Sequence, residues 1–161
     1  MDYIEILQRR ISSLNENSIS SLIYDEFFNL KDKITTLQIE QIQSHRGFDD
    51  ARLSRFSGKD STYSYFTQWH ADNNSPYPAL TSKQSGSDYN FLWSGDFLSN
   101  FRLKRQNKGI EIYSTGTGSG GKKEFFEDYK NMFGLNTENT ATIEDEALYY
   151  VLEKVMKKIY E

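Results

Sequence analysis

The residues that come nearest to a known chemical motif form a glycine-rich run ending in two lysines, Gly116 to Lys123. As far as Lys122 the run has the spacing of a phosphate-binding loop, in which glycine amides surround nucleotide phosphates and a Ser or Thr after the lysine holds magnesium. Lys123 occupies that last position, so the hydroxyl ligand is missing. The sequence also lacks the alternating strands and helices that predict a parallel sheet. We interpret the run as a linker and expect no cofactor, with nucleotide binding as the alternative.

The two histidines are the next candidates for chemistry. His45 with Asp49 and Asp50, and His70 with Asp72, combine the nitrogen and oxygen donors that zinc and iron accept. Neither histidine has a second one four residues away, the spacing that places two imidazoles on one helix face. The chain has no cysteine and no Gly-x-Ser-x-Gly segment. We therefore predict no metal site and no catalytic residues, and we do not expect an enzyme.

A group of cations is the third candidate site: Arg102, Lys104, Arg105 and Lys108. Cations beside aromatic rings, here Phe101 and Tyr113, can contact the backbone and bases of a nucleic acid. The formal charge of the chain is −4 at pH 7 with a pI near 5.3, so its global field does not attract nucleic acid. We interpret the cations as solvated surface charges, with contact to nucleic acid as the alternative.

The cations belong to residues 89–115, which we predict to form a short helix and then a β-hairpin. The segment Ser94-Gly95-Asp96 can begin a helix. Apolar and polar residues alternate on both sides of Gly109, as in two antiparallel strands with one exposed face. Arg102 and Lys104 are expected to face Glu111 across the hairpin. Because aromatic residues concentrate in this stretch, we predict that the core forms here.

The flanking regions predict helices around an irregular middle. Apolar residues recur at three- and four-residue intervals through residues 1–43, which indicates two helices or one bent helix, with Asn17 or Ser18 as a cap. Residues 44–88 contain both prolines and many turn-forming residues, so we predict a long irregular segment with one short helix near 61–70.

Residues 116–161 predict two more helices. One covers 122–135 and ends at Gly134, and the other covers about 142–159 and begins at a capping box of Thr142 and Asp145. The apolar residues of the last helix, Leu148 and Leu152 among them, are expected in the core.

Length and composition set the wider frame. A chain of 161 residues predicts one domain, 1–161, of the α+β class. No apolar run predicts a membrane span, and the start has no basic leader, so we expect no membrane association. Aromatic residues make up 15% of the chain, which favours surfaces that meet other proteins, with an aromatic-rich core as the alternative.

Five stretches carry a resemblance to a known family: IEQIQSHRGFDD (39–50), the aromatic segment 63–69, WSGDFLSNF (93–101), GIEIYST (109–115) and FEDYKNMFGLNTEN (126–139). Their order is similar to that in the head-tail joining or tail-completion proteins of tailed bacteriophages, in the divergent form seen in phages of gut bacteria. In that family a Thr-Gly-x-Phe or Thr-Gly-x-Leu turn precedes the hairpin, and a Tyr-x-x-x-Phe-Gly-Leu segment precedes the last helix. Ser94 stands here in place of the commoner threonine, and the glycine-rich run lengthens the link after the hairpin.

The resemblance implies a virion structural protein, neither an enzyme nor dependent on a cofactor. It implies a homo-oligomeric ring between portal and tail that contacts portal, adaptor or tail subunits, in the virion and, during assembly, in the host cytoplasm. In such a ring, the alternative interpretation of the basic hairpin is contact with DNA that passes through. The residues that would shape the fold and the assembly are Trp93, Gly95, Asp96, Phe97, Phe101, Gly134 and Leu135.

Overall fold

The computed structural model describes residues 3–73, 79–106, 109–116 and 126–160. Helices and one antiparallel pair of strands make up the regular structure, which confirms the α+β class. The helices are α1 (Tyr3–Ser12), α2 (Glu16–Asn29), α3 (Lys31–Gln43), α4 (Tyr65–Asp72), α5 (Asp96–Ser99) and α6 (Thr137–Tyr160), and the strands are β1 (Phe101–Gln106) and β2 (Gly109–Ser114).

The amino-terminal third forms three helices where one or two were predicted. Asn15, earlier than the predicted caps, accepts a hydrogen bond from the Ser18 amide at 2.9 Å and begins α2. Leu30 alone separates α2 from α3, and its amide still donates to the Glu26 carbonyl oxygen. The two helices therefore follow one another without a loop. The end of α3 at Gln43 is as predicted.

Two buried glutamines of α3 hold the segment that leads into α6. Gln38 is fully buried; its amide nitrogen donates to the Met132 carbonyl at 2.8 Å, and its amide oxygen accepts from the Gly134 amide at 2.8 Å. Gln41 does the same one turn later, with the Gly134 carbonyl at 2.9 Å and the Asn136 amide at 2.7 Å. Buried backbone groups outside a helix or sheet need such partners. The two side chains thus replace a neighbouring strand.

The helix predicted over 122–135 is wrong from residue 128 onward. Phe126 and Glu127 are helical, whereas residues 128–135 contain turns, bends and an isolated bridge between Tyr129 and Arg55, and no helix. The amides of Phe48 and Phe56 donate to the Asn131 and Asp128 carbonyls at 3.0 and 2.7 Å. Because this backbone is hydrogen-bonded to the irregular middle, it cannot also form a helix.

The core forms around the aromatic stretch, as predicted, with partners from elsewhere in the chain. The Phe97 ring stacks on the Phe126 ring with centroids 3.7 Å apart, and its centroid lies 5.3 Å from that of Phe101. The buried cluster consists of Ile42, Leu53, Phe91, Phe97, Leu98, Phe101, Phe126, Tyr129 and Met132. The irregular middle therefore contributes to the core through Leu53, and α3 does so through Ile42.

The hairpin has the predicted type, and its register corrects one pairing. Lys104 faces Glu111 as expected, but Arg102 faces Tyr113. The short helix in the middle is present as α4, Tyr65–Asp72, where the Ser64 side chain accepts a hydrogen bond from the Thr67 amide.

The last helix begins five residues before its predicted start. The Asn136 side chain accepts from the Asn139 amide at 3.0 Å, and Thr137 donates through its hydroxyl to Asp50 at 2.5 Å. The capping box predicted at Thr142 and Asp145 is therefore wrong, because a nearby Asn already occupies the cap. α6 packs along α2 and α1.

Candidate assembly surface

The residues that carry the phage-protein resemblance lie in the scaffold. Phe97 and Phe101 are buried in the core. Gly95 has φ 77°, a conformation that favours glycine, and an added Cβ would lie 3.1 Å from Leu80 Cδ1. Trp93 is half-buried, and its carbonyl accepts from the Leu80 amide at 2.8 Å. These residues shape the entry to the hairpin.

Asp96 and Gly116 fix the turn of α5 against the end of the hairpin. The Asp96 carboxylate and carbonyl accept from Asn100 Nδ2 at 3.0 and 2.8 Å. A Cβ on Gly116 would lie 2.4 Å from the Asp96 carbonyl oxygen, so this glycine is needed for close packing. The rest of the glycine-rich run, 117–123, lies outside the described residues.

Gly134 and Leu135 lie where the chain enters α6. Gly134 has φ 130°, and a Cβ there would lie 3.0 Å from the Cβ of Phe48. Leu135 is half-buried. Phe48 belongs to the stretch 39–50, so two of the stretches that carry the resemblance meet here.

A buried asparagine joins the same two stretches. Asn131 Nδ2 donates to the Asp49 carboxylate at 2.7 Å and to the Arg52 carbonyl at 3.2 Å, and its Oδ1 accepts from the Ser54 amide at 3.1 Å. A Cβ on Gly47 would lie 2.3 Å from this side chain. The irregular middle is thus anchored to the carboxy-terminal half by specific polar contacts.

The basic hairpin uses its cations largely within the molecule. Arg105 forms an ion pair with Asp25 at 3.2 Å and lies 5.0 Å from the Tyr24 ring centroid. Arg102 donates to the Phe101 carbonyl at 2.7 Å. Lys104, exposed, stands opposite Glu111. Lys108 lies outside the described residues. Each of the three described cations therefore lies near a carbonyl or a carboxylate of its own chain.

The surroundings of the two histidines do not form a metal site within the described residues. His45 Nε2 lies 3.9 Å from Asp88, which also pairs with Arg52. His70 sits in an aromatic cluster on α4, with its ring centroid 4.5 Å from that of Phe66. Across the ranges that the structure describes, no three His, Asp or Glu side chains form a group able to hold a metal ion.

Lys83 is a buried cation in the middle segment. It is 1% exposed, and its Nζ donates to Thr81 Oγ1 at 2.6 Å, to Asn90 Oδ1 at 2.9 Å and to the Leu92 carbonyl at 3.4 Å. Burial lowers the pKa of Lys83 to about 8. Three neutral acceptors surround it, so the lysine holds residues 81–92 together and is too buried to meet a substrate.

The largest departure from the sequence-based prediction is a second apolar face on α6. Leu148, Leu152 and Met156 recur every four residues and are 55%, 54% and 52% exposed. Tyr149 and Tyr160, also exposed, extend the same side of the helix by its 3.6-residue period. We call these five residues the α6 stripe.

The opposite side of α6 supplies the contacts to the rest of the molecule. Ile143, Ala147 and Val151 are buried there. Lys154 forms an ion pair with Glu26 of α2, and Lys33 of α3 pairs with Glu146. The expectation that Leu148 and Leu152 belong to the core is therefore wrong, because the helix has apolar residues on two sides and only one is covered.

No family model, curated protein or solved structure matches this chain. None of the helices in the described ranges has both the length and the apolarity of a membrane span.

A signal for the α6 stripe was present in the sequence. A helix with one buried face shows apolar residues on roughly a third of its circumference. In α6 the positions that follow the buried Ala147 and Val151, 148 and 152, are apolar as well, and so is 156 one turn later. A helix apolar on so much of its surface predicts either full burial or a second contact.

Proposed function

We propose that the protein is a structural subunit of a tailed-bacteriophage virion, a tail-completion or neck component that forms a ring between portal and tail. The α6 stripe is the observation that carries the proposal. A contiguous apolar patch on a soluble protein is unfavourable in water and is typical of a surface that meets another protein. The order of the stretches at 39–50, 93–101 and 126–139 supplies the phage context.

The geometry supports a role as a rigid support for that surface. The stretches that carry the resemblance pack on one another, through Gly134 against Phe48 and through Asn131 against residues 49–54. Partners that suit this surface are portal, adaptor or tail subunits, which would cover the α6 stripe, including its two tyrosines.

The test is the protein content of particles produced by the genome that encodes this chain. The proposal predicts that mass spectrometry of purified particles finds the chain at a fixed ratio to the portal protein. It also predicts that particles made without the chain have filled heads and lack tails. Intact tailed particles without the chain would overturn the proposal.

The alternative is a nucleic-acid-binding accessory protein that uses the hairpin. Arg102 and Lys104 are two residues apart on β1, so they lie on the same face of the strand, and both are exposed. This placement favours contact with a phosphate backbone. Lys108, the fourth cation of the group, lies outside the described residues. This function predicts salt-dependent binding of DNA that is lost in Arg102→Ala with Lys104→Ala.

A further inference from the structure

Lys83 and Asn90 place a buried amine beside a carboxamide in the middle segment. Lys83 Nζ lies 2.9 Å from Asn90 Oδ1. Because a carbonyl bond is about 1.2 Å long, this nitrogen is within about 4.1 Å of the amide carbon, Asn90 Cγ. Lys83 is 1% exposed, so an electrophile from solution does not reach its amine. The Asn90 carboxamide is already in place beside it.

We propose that the protein modifies itself here, and that the Lys83 amine displaces ammonia from the Asn90 side chain to leave an amide bond between the two residues. The bond between Lys83 Nζ and Asn90 Cγ forms, and the bond between Cγ and Nδ2 breaks. The chain loses one molecule of ammonia, and the reaction consumes no oxidant, reductant or cofactor. Because both reactants belong to this chain, the reaction does not depend on the proposed virion role.

The surroundings of Lys83 favour the uncharged amine, which is the form that attacks a carbonyl. Burial lowers the pKa of Lys83 to about 8, so about a tenth of the amines are uncharged at pH 7. Within the described part of the chain no carboxylate pairs with it, and the titratable group in contact is Tyr63, whose ring centroid lies 5.4 Å from Nζ. An uncharged amine donates only two hydrogen bonds, which leaves its lone pair for Cγ.

Two donors already hold the amide oxygen on which negative charge would develop. The Tyr63 hydroxyl donates to Asn90 Oδ1 at 2.8 Å, and the Leu92 amide donates to the same oxygen at 3.1 Å. Donors at these distances stabilise the oxyanion of a tetrahedral intermediate. Burial raises the pKa of Tyr63, so its hydroxyl stays protonated and continues to donate. Tyr63 and Leu92 would therefore act as an oxyanion hole.

Thr81 connects the attacking nitrogen to the leaving nitrogen. Its Oγ1 accepts from Lys83 Nζ at 2.6 Å and from Asn90 Nδ2 at 2.9 Å. After the attack Nζ carries a surplus proton, and Nδ2 must gain a proton before it leaves. The Thr81 hydroxyl would accept the first proton and pass its own to Nδ2, and the carbonyl would reform as ammonia departs. Thr81 is exposed and Asn90 is half-buried, so the ammonia has a path to water.

The product would be a covalent cross-link in a chain that has no cysteine. It would close the loop of residues 83–90 and restrict the unfolded chain, which stabilises the folded state. The nitrogen of the product is an amide and does not titrate. The pH dependence that the Lys83 amine gives to stability therefore belongs to the unreacted chain.

Intact mass spectrometry of the full chain tests the reaction. The protein is purified at about pH 5, where the amine is protonated, and then held at about pH 9. We expect the mass to fall by one ammonia, and a tryptic digest to contain Lys83 joined to Asn90, with no cleavage after Lys83. The rate should rise about tenfold between about pH 6 and 7 and level off above the pKa of about 8.

Two lysine variants separate this reaction from the spontaneous loss of ammonia that an asparagine undergoes by cyclising on its own backbone. Lys83→Met should keep its full mass, because the attacking amine is gone. Lys59→Met, at an exposed lysine, should react like the wild type. Ammonia loss that is equally fast in Lys83→Met would overturn the inference, as would a wild type that keeps its full mass at pH 9.

Two further variants test the assigned roles while Lys83 and Asn90 stay in place. Thr81→Val keeps the shape of the side chain and removes the hydroxyl, and Tyr63→Phe removes one donor to the amide oxygen. Each should slow the reaction at least tenfold. Ser82→Ala, at an exposed neighbouring hydroxyl, should leave the rate unchanged. Circular dichroism checks that each variant is folded. A rate that is unchanged in both Thr81→Val and Tyr63→Phe would overturn the inference.

Discussion

Lys83 makes the stability of the folded protein depend on pH. Its pKa lies near 8 in the folded state and near 10.5 in the unfolded chain. Between these values the unfolded state binds more protons, so the free energy of unfolding should rise as the pH rises from 8 to 10. Urea titrations at several pH values measure this rise. Lys83→Met should remove it, and Lys59→Met, at an exposed lysine, should keep it. An identical rise in Lys83→Met would contradict the assignment.

Two buried tyrosines predict the opposite trend at higher pH. Burial raises the pKa of Tyr63 and raises that of Tyr129 to about 12. A phenol with a raised pKa stabilises the fold while it stays protonated, and this stability is lost as the pH climbs from 10 through 12. The free energy of unfolding should therefore pass through a maximum near pH 10. A wild-type curve that falls between pH 8 and 10 would contradict the Lys83 assignment, and a curve that keeps rising between pH 10 and 12 would contradict the tyrosine assignment.

Phe101 tests where the core lies. Its ring is 4% exposed and contacts the rings of Phe97 and Phe133, so Phe101→Ala should reduce the free energy of unfolding by about 3–5 kcal/mol. Phe66, which is 67% exposed on α4, is the matched control, and Phe66→Ala should cost less than about 1 kcal/mol. Denaturant unfolding measures both. Equal losses would mean that the core has been placed wrongly.

Single residues differ in how far the sequence revealed their roles. The burial of Phe97 and Phe101 followed from aromatic content and helical spacing, and the positive φ of Gly95 fits its place before α5. The roles of Gln38 and Lys83 were not predictable, because nothing local marks a polar residue that will be buried. Their partners lie far away in sequence, or within a loop whose path the sequence does not specify.

At the scale of elements, the pairing of α3 with residues 132–136 is open to test. Gln38→Leu keeps the size of the side chain and leaves the Met132 carbonyl and the Gly134 amide without their partner. We expect a loss of about 2–4 kcal/mol in the free energy of unfolding, because buried backbone groups left unsatisfied are costly. Glu40→Leu, at an exposed position on the same helix, is the control.

Amide hydrogen exchange locates that effect. In Gln38→Leu the Gly134 amide should exchange faster, while the Asn136 amide, held by Gln41, should keep more of its protection. Equal acceleration at both amides would show that the variant loosens the whole segment. Gln38 and Gln41 would then not hold their two amides independently.

The elements that sequence patterns predicted best are those whose hydrogen bonds are local. The hairpin and α6 have this property, and both were found, with α6 starting earlier because Asn136 is the nearer cap. The segment 122–135 was assigned to a helix because its aromatic residues recur at helical intervals. The backbone of residues 128–131 instead forms hydrogen bonds with residues 48–56, and no local pattern could predict that distant partner.

At the scale of the whole molecule, α6 and the hairpin are two candidate surfaces that suit different partners, a protein and a nucleic acid. If the hairpin cations serve internal contacts, Arg102→Ala with Lys104→Ala should leave DNA binding as weak as in the wild type between 50 and 200 mM salt. Fluorescence anisotropy with a labelled duplex measures this. Tight wild-type binding that falls steeply with salt and disappears in the double variant would favour the alternative function.

The central claim is that the protein acts by being bound through α6. Its most direct test is size-exclusion chromatography with light-scattering detection. The chain is mixed with the portal and tail proteins encoded in the same genome. We predict that the wild type and Tyr65→Glu, a control at a 72% exposed position on α4, co-elute with at least one of them, and that Leu152→Glu, although folded, elutes alone. A wild-type chain that elutes alone from every mixture, or a Leu152→Glu variant that binds as well as the wild type, would contradict the account.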